Sequence, residues 1–137
     1  MTEVEFHTGV GDKLGFACRL LRKAAVKGAR VVVHAEAPQA ATLDRLLWTF
    51  DPLAFVPHAR SGTSAPAATP IWIAERLDDA PHHEVLLNLA DGVADGFETF
   101  ARLIEVVGID DADAGRRRWA HYKQRGYPIV HHQAASA

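Results

Sequence analysis

The sequence predicts an α/β domain in which helices flank a central, mostly parallel or mixed sheet. Three observations carry this. Apolar segments alternate between strand-like and helix-like periods, the second strand is a run of three valines, and the spacing leaves room for a crossover helix between strands. A chain of 137 residues is long enough for one domain with a real core and too short for two.

Each element follows from local chemistry. Val4–His7 alternates as a short strand, and Thr8-Gly9-Val10-Gly11-Asp12 ends it with turn residues. From Lys13 to Lys27, Leu14, Ala17, Cys18, Leu21 and Ala24–Ala25 recur at helical spacing, and Gly28 is a helix stop. Ala29–Ala35 contains Val31-Val32-Val33, which suits a strand covered on both faces. Ala37–Phe50 is a second amphipathic helix. Asp51-Pro52 breaks it, and Phe55-Val56-Pro57 continues as extended chain. Residues 61–70 read as a loop. Ile71–Glu75 and Glu84–Ala90 follow as strands. Thr99–Val107 fits either period, and its β-branched residues favour a strand. A closing helix is expected over Asp111–Arg125, with acids in its first turn and cations towards its end. The domain is expected to span 1–130, and residues 131–137 to be a disordered tail.

Composition removes several classes of function. No apolar run is long enough to span a membrane, and the amino terminus carries carboxylates where a secretory leader needs cations. The cytoplasm is the expected compartment. Cys18, the single cysteine, reads as a small buried apolar residue. Eight histidines form no HExxH or Cys/His cluster, and no GxSxG elbow exists, so neither a metal nor catalysis is expected. The turn Gly9–Gly15 (GVGDKLG) lies where a nucleotide loop would, but departs from GxGxxG by one residue and lacks GK[ST]. Tight-turn glycines account for it. No cofactor is expected.

Charge is distributed unevenly. Residues 1–115 hold 10 Lys/Arg and 17 Asp/Glu, while 116–137 hold 5 Lys/Arg and no acid. That split places a local anion-binding feature on an acidic body, whereas a general nucleic-acid binder is basic over a wider surface. At about 100° per residue, Arg116, Trp119, Ala120 and Lys123 share one helix face, with Arg118, Tyr122 and Arg125 as a neighbouring stripe. Aromatic rings flanked by cations suit a short acidic peptide with an apolar end. The segment LLWTFDPLAFVPH offers a second patch of aromatics and prolines.

These segments together resemble a known family, the chi subunit of bacterial DNA polymerase III, a clamp-loader accessory protein. The resemblance rests on GARVVVHAE, LDRLLWTFDPLAFVPHA and the closing RRWxxYKxxGY, and extends over nearly the whole chain. It implies a single Rossmann-like domain without a nucleotide site and a noncatalytic adaptor role in DNA replication. It also implies two partners. The acidic C-terminal tail of single-stranded DNA-binding protein (SSB) maps to Arg116, Trp119, Tyr122 and Lys123. A psi-type subunit, or another clamp-loader subunit, maps to Trp48, Pro52, Phe55, Val56 and Pro57. DNA would be reached indirectly, through SSB. Trp119 stands where the family often has tyrosine, and Ala120 where a lysine can occur. The alternative from another class is a small Rossmann-type nucleotide-binding enzyme using Gly9–Gly15.

Overall fold

The computed structural model describes residues 1–49, 56–61, 69–78 and 80–134. Its elements are β1 (Glu3–Val10), α1 (Lys13–Val26), β2 (Val31–His34), α2 (Ala37–Thr49), β3 (His58–Arg60), β4 (Ile71–Ala74), β5 (Val85–Asn88), β6 (Arg102–Gly108), α3 (Ala112–Gln124) and β7 (Ile129–Gln133). Two short 3₁₀ turns, Phe97–Thr99 and Ile109–Asp111, precede β6 and α3. The seven strands form one sheet in the order β3-β4-β2-β5-β6-β1-β7, and every pairing is parallel.

An all-parallel sheet must be covered on both faces, and the side-chain alternation does this. Val31 and Val33 point into a layer with Leu21, Cys18, Leu43 and Leu47 of α1 and α2. Val32 points the other way, into a layer with Phe6, Leu86, Leu103 and Tyr122 that α3 and the Phe97–Phe100 region complete. Cys18 is fully buried, as expected of an apolar residue.

The glycine-rich turn serves the fold. Asp12 caps α1, its carboxylate accepting a hydrogen bond from the Gly15 amide at 3.0 Å. That carboxylate lies at the helix N-terminus, where a phosphate would have to sit. Gly9 has φ +68 at a register shift between His7 and Val10, a bulge that bends the end of β1.

Two strands depart from the sequence expectation. His58–Arg60 adds as edge strand β3, a segment between the extended Phe55-Val56-Pro57 and the loop from 61 for which the sequence predicts no element. The tail reading also fails over 131–133, because Ile129–Gln133 pairs in register with β1 from Val4↔Ile129 to Thr8↔Gln133. Backbone pairing supplies order there that the polar sequence VHHQ does not advertise. The expectation for residues 135–137 lies outside the described residues.

Candidate functional site

A polar network at the sheet centre positions α3. Glu105 of β6 is fully buried, with the side chain of Arg118 only 1% exposed above it. Arg118 Nε donates to Glu105 Oε1 at 2.9 Å, and Arg118 Nη1 donates to the Asp91 carbonyl at 2.8 Å. The Tyr122 hydroxyl donates to Glu105 Oε2, and Asn88 Nδ2 reaches both carboxylate oxygens at 3.1 Å. Asn88 Oδ1 in turn accepts from His34 Nδ1 at 2.8 Å. Burial pushes the Tyr122 hydroxyl far above the ordinary tyrosine range, with the Glu105 carboxylate adding to the shift, so it stays a donor. Burial also raises Glu105, against the pull of Arg118 and its hydrogen-bond donors. Gly115 completes the seat. A Cβ there would come within 2.6 Å of Val107 Cγ1, so only glycine lets α3 lie this close to β6.

This network corrects the reading of one helix stripe. Arg118 and Tyr122 are one turn apart and both face inward, so Tyr122, expected to contact a ligand, is inaccessible to one. Its ring packs edge-on to Phe6 and Phe97, at 5.9 and 5.1 Å between centroids. The residue that demands this arrangement is Glu105, a carboxylate within the strand pattern LIEVV that must meet a cation if the strand is covered.

The other stripe remains outside. Arg116 and Trp119 line a groove of about 550 Å³ beyond the carboxyl ends of β1 and β6. Phe6 and Val107 contribute its apolar floor, Gly9 and Gly108 its backbone edge, and His131 of β7 the far wall. Trp119 is half-buried, standing edge-on to Phe6 at 5.0 Å and to His131 at 5.6 Å. His131 is held by Thr8, with 2.7 Å between Nε2 and Oγ1. The Arg116 side chain is 74% exposed and pairs with Asp113 at 2.5 Å. Exposed Lys123 lies one turn beyond Trp119 but does not line the groove. An apolar trough with an exposed guanidinium at its rim suits a ligand that joins an anionic group to an apolar one.

The second candidate patch lies at the opposite sheet edge. Trp48, in the last turn of α2, is 59% exposed, and its ring is 4.7 Å from that of His58 in β3. His58 is anchored through Nδ1 to the Val56 carbonyl at 2.7 Å, and its Nε2 is 3.1 Å from Asp44. Pro57 is partly exposed. Val56 is a correction, because its side chain is buried in the α1/α2 layer and offers no surface. Pro52 and Phe55 lie outside the described residues. With β3 at one edge and the groove over β6 and β1 near the other, about 20–25 Å of sheet separates this patch from the groove.

Comparison with known proteins decides the family. The family described as "DNA polymerase III chi subunit, HolC" matches residues 1–130. The chain belongs to the DNA polymerase III chi subunit family. A chi subunit from Pseudomonas aeruginosa is 31% identical over 140 residues, covering 97% of each chain. One from Haemophilus influenzae is 32% identical over 119 residues, covering 82% of this chain and 81% of its own. One from Escherichia coli is 26% identical over 116 residues, covering 82% and 79%. This chi chain is therefore a replication accessory subunit of the polymerase III complex, from a family that is not catalytic. No helix among its described residues is long and apolar enough to cross a membrane.

Proposed function

We propose that this chi subunit is an adaptor that captures the acidic C-terminal tail of SSB in the groove between α3, β1 and β7. It thereby reaches DNA at second hand, in the cytoplasm. The observation that carries this reading is the pairing of exposed Arg116 with the half-buried ring of Trp119 over an apolar floor. Arg116 takes the ligand carboxylate, Trp119 and Phe6 take its apolar end, and Lys123 attracts the acidic residues further from the terminus. Tyr122 contributes by holding α3 in place. A psi-type subunit or another clamp-loader subunit docks at the far edge on Trp48 and Pro57, and the same reading includes Pro52 and Phe55. Two partners on opposite edges bind at once without competing.

Titration with an SSB tail peptide tests the tail site. Wild-type protein binds in the micromolar range, more weakly as salt rises. Arg116→Ala weakens binding by about 1–2 kcal/mol, modest because the guanidinium is exposed and must leave Asp113. Absence of binding by the wild type at low salt would refute the reading.

A further inference from the structure

The groove uses one face of β1 and β7; the opposite face carries a separate cluster. Glu5 and His7 of β1 lie on that face with His132 of β7, and His7 is the direct register partner of His132. One potential ligand atom from each of the three falls within 4.8 Å of the others. His132 Nε2 is 2.9 Å from Glu5 Oε1, and His7 Nε2 is 3.5 Å from Glu5 Oε2. The two imidazoles stack, with centroids 4.9 Å apart and planes 20° apart. A tetrahedral ion with bonds of about 2.05 Å holds its ligand atoms about 3.3 Å apart, and the two observed separations, one to each carboxylate oxygen of Glu5, fall on either side of that value.

We propose that Glu5, His7 and His132 form a site for a divalent transition ion of the zinc class. Two imidazoles and one carboxylate select such an ion over calcium or magnesium, which prefer all-oxygen shells. Neighbouring parallel strands hold the ligands on rigid backbone. Arg102 of β6, with Nη2 3.3 Å from Glu5 Oε2, orients the carboxylate from outside the ligand shell. The same arginine adds positive charge nearby, which keeps the site weaker than a dedicated structural one. Half-exposed His132 leaves an entry path. Glu5 and His7 also line a cavity of about 460 Å³, with room for a water as fourth ligand. The ion pins edge strand β7 to β1. His131, the preceding residue, points to the groove side, so the pin also holds that wall. Separation by 125 positions hides the site from any reading of sequence spacing, since His7 and His132 meet only through β1–β7 pairing.

The test uses the full chain stripped with EDTA and titrated with Zn²⁺ against a chromogenic chelator, with Co²⁺ absorption reporting coordination. One equivalent binds at micromolar affinity or tighter and raises the melting temperature, and EDTA reverses the rise. His132→Gln changes an exposed side chain and leaves the far-ultraviolet spectrum intact, while zinc affinity falls about tenfold or more. His83→Gln, outside the cluster, retains wild-type affinity. Equal zinc affinity in wild type and His132→Gln would overturn the proposal, as would wild-type binding no tighter than about 100 µM, roughly −5.5 kcal/mol.

Discussion

Replacing Arg118 by methionine probes whether the buried network seats α3. Methionine keeps most of the apolar stem and removes the guanidinium that donates to Glu105, the Asp91 carbonyl and, at 3.4 Å, the Val106 carbonyl. Glu105 keeps Asn88 and Tyr122 as donors but loses its only buried countercharge among the described residues. Removing one partner of a buried pair costs about 3–5 kcal/mol, because the other charge stays desolvated. For a chain of this length that is a fall of about 10–20 °C in melting temperature. The second arm is the double variant Glu105→Gln/Arg118→Met. Without the stranded charge, it recovers about 1–3 kcal/mol relative to Arg118→Met alone. A third arm is pH: acid protonates the stranded carboxyl, so the deficit of Arg118→Met shrinks as pH falls. Urea unfolding followed by circular dichroism measures all three. If Arg118→Met lies within about 1 kcal/mol of wild type, or the double variant is no more stable than Arg118→Met, the network does not carry the energy assigned to it.

Two further outcomes are expected. His82 is buried, with Nε2 3.2 Å from the Thr69 carbonyl, Nδ1 without a partner among the described residues, and Arg30, Glu84 and His83 as the charged or titratable neighbours there. Burial holds its pKa below the ordinary histidine value, so the folded state resists a proton that the unfolded state accepts. Stability present at neutral pH is therefore lost as pH falls between about 7 and 5, and His82→Gln flattens that loss in urea titrations; a flat wild-type profile would contradict the assignment. Trp48→Ala, at a 59% exposed ring, changes stability by less than about 1 kcal/mol yet abolishes capture by a psi-type partner, and retained capture in a pull-down would remove Trp48 from that surface.

Most of the architecture was legible because period and punctuation agreed. The valine run of β2 and the acid-free face of α1 each had one reading, and Gly28 and Gly126 mark the two helix ends with φ of +76 and +77. The edge strands β3 and β7 escaped because an edge gains order from its neighbour's ladder, and HAR and IVHHQ carry little apolar alternation. At the site, 100° geometry set Arg118 and Tyr122 apart from Arg116 and Trp119 but could not tell which pair faced the sheet, and it grouped exposed Arg125 with the buried pair. Cations on both stripes made either look exposed. The deciding residue was Glu105, because a buried carboxylate pulls Arg118 and Tyr122 inward and leaves Arg116 and Trp119 at the rim. His131 entered the groove wall for the same reason that β7 was missed.

The position of β1 constrains how the protein is made. Its two neighbours, β6 and β7, lie 99 and 125 positions later in the chain, from Glu3↔Arg102 and Val4↔Ile129 onward. During synthesis the first strand therefore waits, unpaired, while the other half of the sheet can assemble around β2, β4 and β5. Pairing over such separations is slow, because the intervening loop must close before any contact rewards it. The groove, built from Phe6, Trp119 and His131, exists only once that closure has happened. A chain cut short before β6 lacks Val107, Trp119 and His131, and with them the groove. A ligand of this groove would therefore meet only chains whose two ends have come together.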